Sequence, residues 1–121
     1  MKISVMGTGY VGLVSGTCLA ERGHQVTCID IRSEVVQEIN AGRPPIHEMG
    51  LDNLLRSARD KGMLSATTDA KTAILDSDVT LICVGTPTVD GRMDMSQIVA
   101  AAKEIGSALA SKRGYHVVAV K

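Results

Sequence analysis

The sequence predicts an α/β domain, a doubly wound parallel sheet with helices on both faces. Two patterns carry this. Short β-branched runs alternate with stretches of helical periodicity along all 121 residues, the signature of strand–helix–strand crossovers. A glycine-rich turn, Gly7-Thr8-Gly9-Tyr10-Val11-Gly12, follows the first apolar run directly and opens the first helical stretch.

Lys2 to Met6 (KISVM) reads as a strand bounded by Gly7. Tyr10 to Arg22 reads as a helix with Gly23 in the C′ position. Gln25 to Ile29 (QVTCI) is the second strand. A helix capped by Ser33 follows, with Val35, Val36 and Ile39 on its apolar face and Gly42 as its stop. Arg43-Pro44-Pro45 cannot continue a helix and reads as a connector. Leu51, Leu54, Leu55 and Ala58 recur at helical spacing up to Gly62. Leu64 to Thr67 is a short strand, and Ala70, Ala73 and Ile74 mark a short helix. Val79 to Val84 (VTLICV) is nearly all apolar, as a strand buried on both faces would be. Gly85 to Arg92 reads as a loop. Asp94 is expected to cap a final helix whose core face carries Met95, Ile98, Val99, Ala102, Ile105 and Leu109. A last strand starts at His116, and further strands are expected beyond Lys121. Residues 1–121 are thus read as one domain of a longer protein.

Composition excludes several classes. Formal net charge is zero and 45% of residues are hydrophobic, which argues against disorder and offers no basic surface for nucleic acid or an anionic membrane. No apolar run nears the roughly 20 residues that span a bilayer, and the N-terminus does not read as a signal peptide. A cytoplasmic location is expected. Cys18, Cys28 and Cys83 are widely spaced and read as small buried hydrophobes in a reducing compartment. No cluster of residues has metal-ligand spacing, so no metal is assigned. The histidines read as surface or turn residues: His24 in a helix–strand turn, His47 in the connector, His116 at a strand start.

The Gly7–Gly12 turn is G-x-G-x-x-G in the context that gives this pattern meaning. It lies between a strand and a helix, and the second strand ends in an acidic residue, Asp30, about 20 residues on. Gly7 permits the sharp turn, Gly9 lets a pyrophosphate approach the main chain, and Gly12 lets the helix lie close to the sheet. The free N–H groups near Tyr10 and Val11 would face the pyrophosphate at the positive end of the helix dipole. Asp30 would accept the hydroxyls of the adenosine ribose and repel a 2′-phosphate. The cofactor is therefore read as NAD rather than NADP. Arg32, just past the strand, could instead pair with a 2′-phosphate. A bare tight turn, or a domain for FAD or S-adenosylmethionine, are the competing readings of the turn.

Three segments, MKISVMGTGYVGLVSGTCLAERGHQVTCIDI, GRPPIHEMGLDNLL and SDVTLICVGTPTVDGRMDMSQI, together resemble the UDP-glucose/GDP-mannose dehydrogenase family over essentially the whole chain. The resemblance implies an enzyme that oxidises the C6 hydroxyl of a nucleotide sugar to a carboxylate, reducing two NAD per sugar. It also implies a catalytic cysteine beyond Lys121 and a homo-oligomeric full-length enzyme. Tyr10 and Val11 would then contact the pyrophosphate, Asp30 the ribose, and Thr86, in the Gly85-Thr86-Pro87 loop, would hydrogen-bond along the cofactor. No catalytic residue is assigned within the chain, and the isolated fragment is expected to be inactive. Two positions depart from the family pattern: Val35 stands where many members carry lysine, and Met49 replaces the proline of P-I-x-E-P-G-L. GTGYVGLVSG and VTCIDI look more like UDP-glucose enzymes than GDP-mannose enzymes. Two alternatives to a nucleotide-sugar dehydrogenase stay open: a β-hydroxyacid dehydrogenase of the 6-phosphogluconate type, and a non-catalytic NAD-sensing module.

Overall fold

The computed structural model describes residues 1–121. Strands β1 (Lys2–Met6), β2 (Gln25–Ile29), β3 (Leu64–Thr67), β4 (Val79–Ile82) and β7 (Val117–Val120) form one five-stranded sheet in the order β3-β2-β1-β4-β7. Every pair in it is parallel. A separate hairpin pairs β5 (Thr88–Val89) with β6 (Arg92–Met93). The helices are α1 (Tyr10–Glu21), α2 (Ser33–Asn40), α3 (Leu51–Asp60), α4 (Ala70–Leu75) and α5 (Ser96–Leu109).

Strand alternation sorts the side chains into two cores. Ile3 and Val5 of β1 and Val26 and Cys28 of β2 point to one face, against Leu13 of α1, Val35 and Ile39 of α2, and Leu55 of α3. Met6, Ile29 and Ile82 point to the other, against Ala70 and Ile74 of α4 and Ala101 and Ile105 of α5. Helices on both faces of a parallel sheet make the doubly wound architecture that the alternation predicts. Val35 belongs to the first core and contributes packing there.

Several boundaries and faces differ from expectation. Arg22 caps α1 rather than extending it. The residue in the N-cap position of α2 is Arg32, with Ser33 already helical. Leu54 is exposed, while Leu51, Leu55 and Ala58 form the buried stripe of α3. β4 stops at Ile82 and is buried on alternate residues only. The segment read as a loop contains the β5–β6 hairpin. Asp90 and Gly91 both have positive φ, the backbone of a two-residue primed turn, for which Asp-Gly is a preferred sequence. Strand β7 begins at Val117, opposite Val79, and the His116 ring just before it lies 2.8 Å from the Thr80 hydroxyl. Helix α5 is rotated relative to its predicted face. Ala101, Ile105 and Ala108 are buried, Ile98 and Leu109 are half-buried, and Met95, Val99 and Ala102 face solvent. Most of this helix is apolar or small, so periodicity does not fix its phase. Close packing against the alanines of α4 selects the alanine face. Cys28 and Cys83 are buried as expected, but Cys18 lies on the exposed side of α1. No helix is long and apolar enough to cross a membrane.

Candidate cofactor site

The carboxyl ends of β1, β2 and β4 open onto a cavity of about 840 Å³. The chain runs from β1 outward to β2 and β3 on one side, then crosses back to β4 and on to β7 on the other, so the strand order reverses between β1 and β4. Such a switch point is where open α/β sheets bind ligands. All eight residues singled out in the sequence come together at it. Gly7, Gly9, Tyr10, Val11, Asp30, Arg32 and Thr86 line the cavity, and Gly12 sits directly behind the turn.

The three glycines of the turn do different jobs. Gly7 has φ +97°, and a Cβ there would stand 2.7 Å from the Cys83 carbonyl oxygen. Gly12 is tighter still, since its Cβ would lie 1.9 Å from the Gly7 carbonyl oxygen. These two let the turn fold against the loop that follows β4. A Cβ on Gly9 would meet nothing within 4 Å. The space it would enter is the cavity itself, so Gly9 keeps open an approach to the main chain. Gly9 is the N-cap of α1 and has no side-chain capping bond. The N–H groups of Tyr10, Val11 and Gly12 lie in the first helical turn and have no intrahelical acceptor. They form a cluster of donors at the positive end of the helix dipole, suited to a pyrophosphate.

Asp30 follows β2 directly and is buried. Its Oδ1 accepts from the Arg32 backbone N–H and from Arg32 Nε, each at 3.0 Å. Its Oδ2 accepts from the Thr8 hydroxyl and from Arg32 Nη2, the latter at 3.2 Å. Burial alone would raise its pKa. The hydrogen bonds from the Arg32 side chain, the Thr8 hydroxyl and the Arg32 N–H, together with the Arg32 charge, outweigh burial and hold the carboxyl below the usual value. Asp30 is therefore an anion at neutral pH, with acceptor oxygens fixed in place. That donor set fits a dinucleotide: N–H groups for phosphates at one end, a fixed carboxylate for ribose hydroxyls at the other.

Four contributions escaped the sequence reading. Thr8 is buried and anchors Asp30; 22 residues separate the two, and no local pattern links them. Gln97 and Glu104 of α5 also line the cavity. They share a helical stripe with Ala101 and Ala108, so the misphased reading of α5 turned them away from the site. Lys121 lines it from the end of β7. His47, in the connector, is exposed and not among the lining residues.

A family model described as "UDP-glucose/GDP-mannose dehydrogenase family, NAD binding domain" matches residues 1–121. The chain belongs to this family. Its cofactor is NAD. It is 48% identical to GDP-mannose 6-dehydrogenase of Pseudomonas aeruginosa and 46% identical to UDP-glucose 6-dehydrogenase of Rhizobium meliloti. Both matches cover 100% of this chain and 28% of the relative. A crystal structure of a ternary complex of the Pseudomonas aeruginosa GDP-mannose dehydrogenase superposes with a TM-score of 0.97, covering 99% of this chain and 28% of that one. A UDP-glucose dehydrogenase from Pyrobaculum islandicum superposes at 0.93 with 40% identity, covering 98% of this chain and 28% of that one. The chain thus spans somewhat more than a quarter of the length of these UDP-glucose/GDP-mannose dehydrogenase relatives.

Proposed function

We propose that residues 1–121 are the NAD-binding domain of a nucleotide-sugar 6-dehydrogenase. The observation that carries this is the fixed carboxylate of Asp30 at the end of β2, facing the cavity that the Gly7–Gly12 turn opens. It stands in a chain whose relatives are named as sugar-nucleotide dehydrogenases. The backbone N–H groups of Tyr10, Val11 and Gly12 hold the pyrophosphate, and Asp30 receives the 2′- and 3′-hydroxyls of the adenosine ribose. Thr86, on the loop after β4, directs its hydroxyl along the cofactor. When bound, NAD supplies the hydride acceptor for oxidation of a sugar C6 hydroxyl.

The nucleophile for such an oxidation is not among the buried cysteines. Burial pushes the Cys28 thiol up to about 12, and burial also raises Cys83. Neither supplies thiolate at neutral pH. The covalent step is assigned to the remainder of the enzyme, which we take to be a homo-oligomer. Residues 1–121 alone bind NAD and turn over no sugar.

UDP-glucose is the substrate favoured by the GTGYVGLVSG turn and the VTCIDI strand. GDP-mannose is favoured by the 48% identity to a GDP-mannose 6-dehydrogenase and the TM-score of 0.97 against one. NADH formation by the full-length protein, offered UDP-glucose and GDP-mannose in turn, separates the two. Turnover of either supports the dehydrogenase assignment and names the sugar. Turnover of neither overturns it in favour of a different hydroxy substrate or a sensing role.

A further inference from the structure

The carboxylate that the proposed function gives to ribose already has all its acceptor positions in use. An ionised carboxylate offers about four lone-pair sites. Asp30 fills them with the Thr8 hydroxyl, the Arg32 N–H, Arg32 Nε and Arg32 Nη2, two on each oxygen. These four donors differ in freedom. Thr8 is buried in the turn after β1, and the Arg32 N–H belongs to the backbone entering α2. Neither can leave without moving the main chain. The Arg32 side chain can. It is 57% exposed, and its only hydrogen bonds are those to Asp30. Rotating it away releases one acceptor position on Oδ1 and one on Oδ2. Two donors, one for each oxygen of a single carboxylate, are also what a vicinal 2′,3′-diol presents. The planar guanidinium fork and the diol make equivalent demands on Asp30.

We infer that Arg32 is an internal competitor for the adenosine ribose, holding the two Asp30 positions that the diol needs and swinging out as NAD seats. The arm keeps a buried anion paired and makes each NAD molecule displace a bidentate contact. Arg32 in this sense tunes the affinity of the site for the diol. A ligand that places no hydroxyl on either oxygen leaves the arm paired with Asp30.

The inference rests on the reading of Asp30 as the ribose ligand, and a double-mutant cycle keeps the two separable. NAD is titrated calorimetrically into the full-length protein as wild type, Arg32→Ala, Asp30→Ala and the double variant. An exposed bidentate pair is worth little once solvent screening is counted, so Arg32→Ala is expected to bind NAD about two- to five-fold more tightly. No such gain is expected in the Asp30→Ala background, where nothing is left to compete for. An NAD analogue with 2′,3′-dideoxyadenosine should gain less than NAD from Arg32→Ala. Unchanged or weaker NAD binding by Arg32→Ala, with Asp30→Ala still damaging, overturns the competitor role and leaves the ribose assignment standing. Unchanged NAD binding by Asp30→Ala overturns the ribose assignment and the competitor role together.

Discussion

At the scale of single residues, the site separates glycines that the fold requires from one that the ligand requires. A Cβ on Gly12 collides with the Gly7 carbonyl, whereas one on Gly9 meets nothing within 4 Å. Gly9 has φ −72°, which alanine adopts without strain. Gly12→Ala should therefore cost about 3 kcal/mol in a denaturation curve, the upper range of overpacking penalties. Gly9→Ala should leave the denaturation midpoint in place and weaken NAD binding about tenfold or more, equivalent to roughly 1.4 kcal/mol. Loss of stability from Gly9→Ala, or a fully stable Gly12→Ala, would reverse the roles given to the two residues. The sequence motif assigns Gly9 to the pyrophosphate and Gly12 to close packing; the partner that Gly12 would strike, the Gly7 carbonyl of the same turn, comes from the folded backbone. Asp30 was readable from its place at the end of a strand. Thr8 was not, because its partner is distant in sequence and the G-x-G pattern leaves that position open.

At the scale of elements, strand and helix identity followed from periodicity and turn chemistry, and the exceptions have physical causes. The Asp90-Gly91 hairpin joins strands of only two residues each, too short for alternation to register. Helix α5 is apolar or small around most of its circumference, and its phase comes from contact with α4. That single ambiguity hid Gln97 and Glu104. The outer edge of β3 shows how a side chain completes an element. Ala66 turns its N–H and C=O outward; Asn40 accepts from the N–H at 2.8 Å and donates to the carbonyl at 2.9 Å. The amide stands in for the next strand and blocks an edge that could otherwise pair with another chain. Asn40→Ala should cost about 1–2 kcal/mol in a urea titration, one net bond plus the unpaired groups it leaves. A change below a few tenths of a kcal/mol would show that water replaces the amide at no cost.

At the scale of the whole molecule, the sheet's two ends have different chemistry. The carboxyl end carries the cofactor site. Toward the other end runs a polar chain through the second core. Lys112 Nζ lies 2.9 Å from His116 Nδ1, and His116 Nε2 lies 2.8 Å from Thr80 Oγ1. Thr80 meets Ser4 at 2.7 Å, and Ser4 meets Ser77 at 3.0 Å. Burial and then the Lys112 charge lower the His116 pKa from 6.5, against smaller opposing effects of the Ser77 carbonyl and Asp78. Below the unfolded-state value of 6.5, the unfolded chain binds more protons than the folded one. The stability from neutral His116 is thus complete above that pH and is lost as pH falls through the lower folded value. His116→Gln should flatten the fall in stability between neutral and mildly acidic pH. An identical pH profile for the variant would assign that fall to the carboxylates instead.

The two ends meet in one claim, that this sheet exists to hold NAD between the Gly7–Gly12 turn and Asp30. Calorimetric titration of NAD into wild type and Asp30→Ala tests it most directly. Hydrogen bonds to a charged group are worth about 1.5–3 kcal/mol, so the variant should lose about 2 kcal/mol of binding, roughly 30-fold in Kd, with its denaturation curve still cooperative. Equal affinity of the two proteins for NAD would contradict the account.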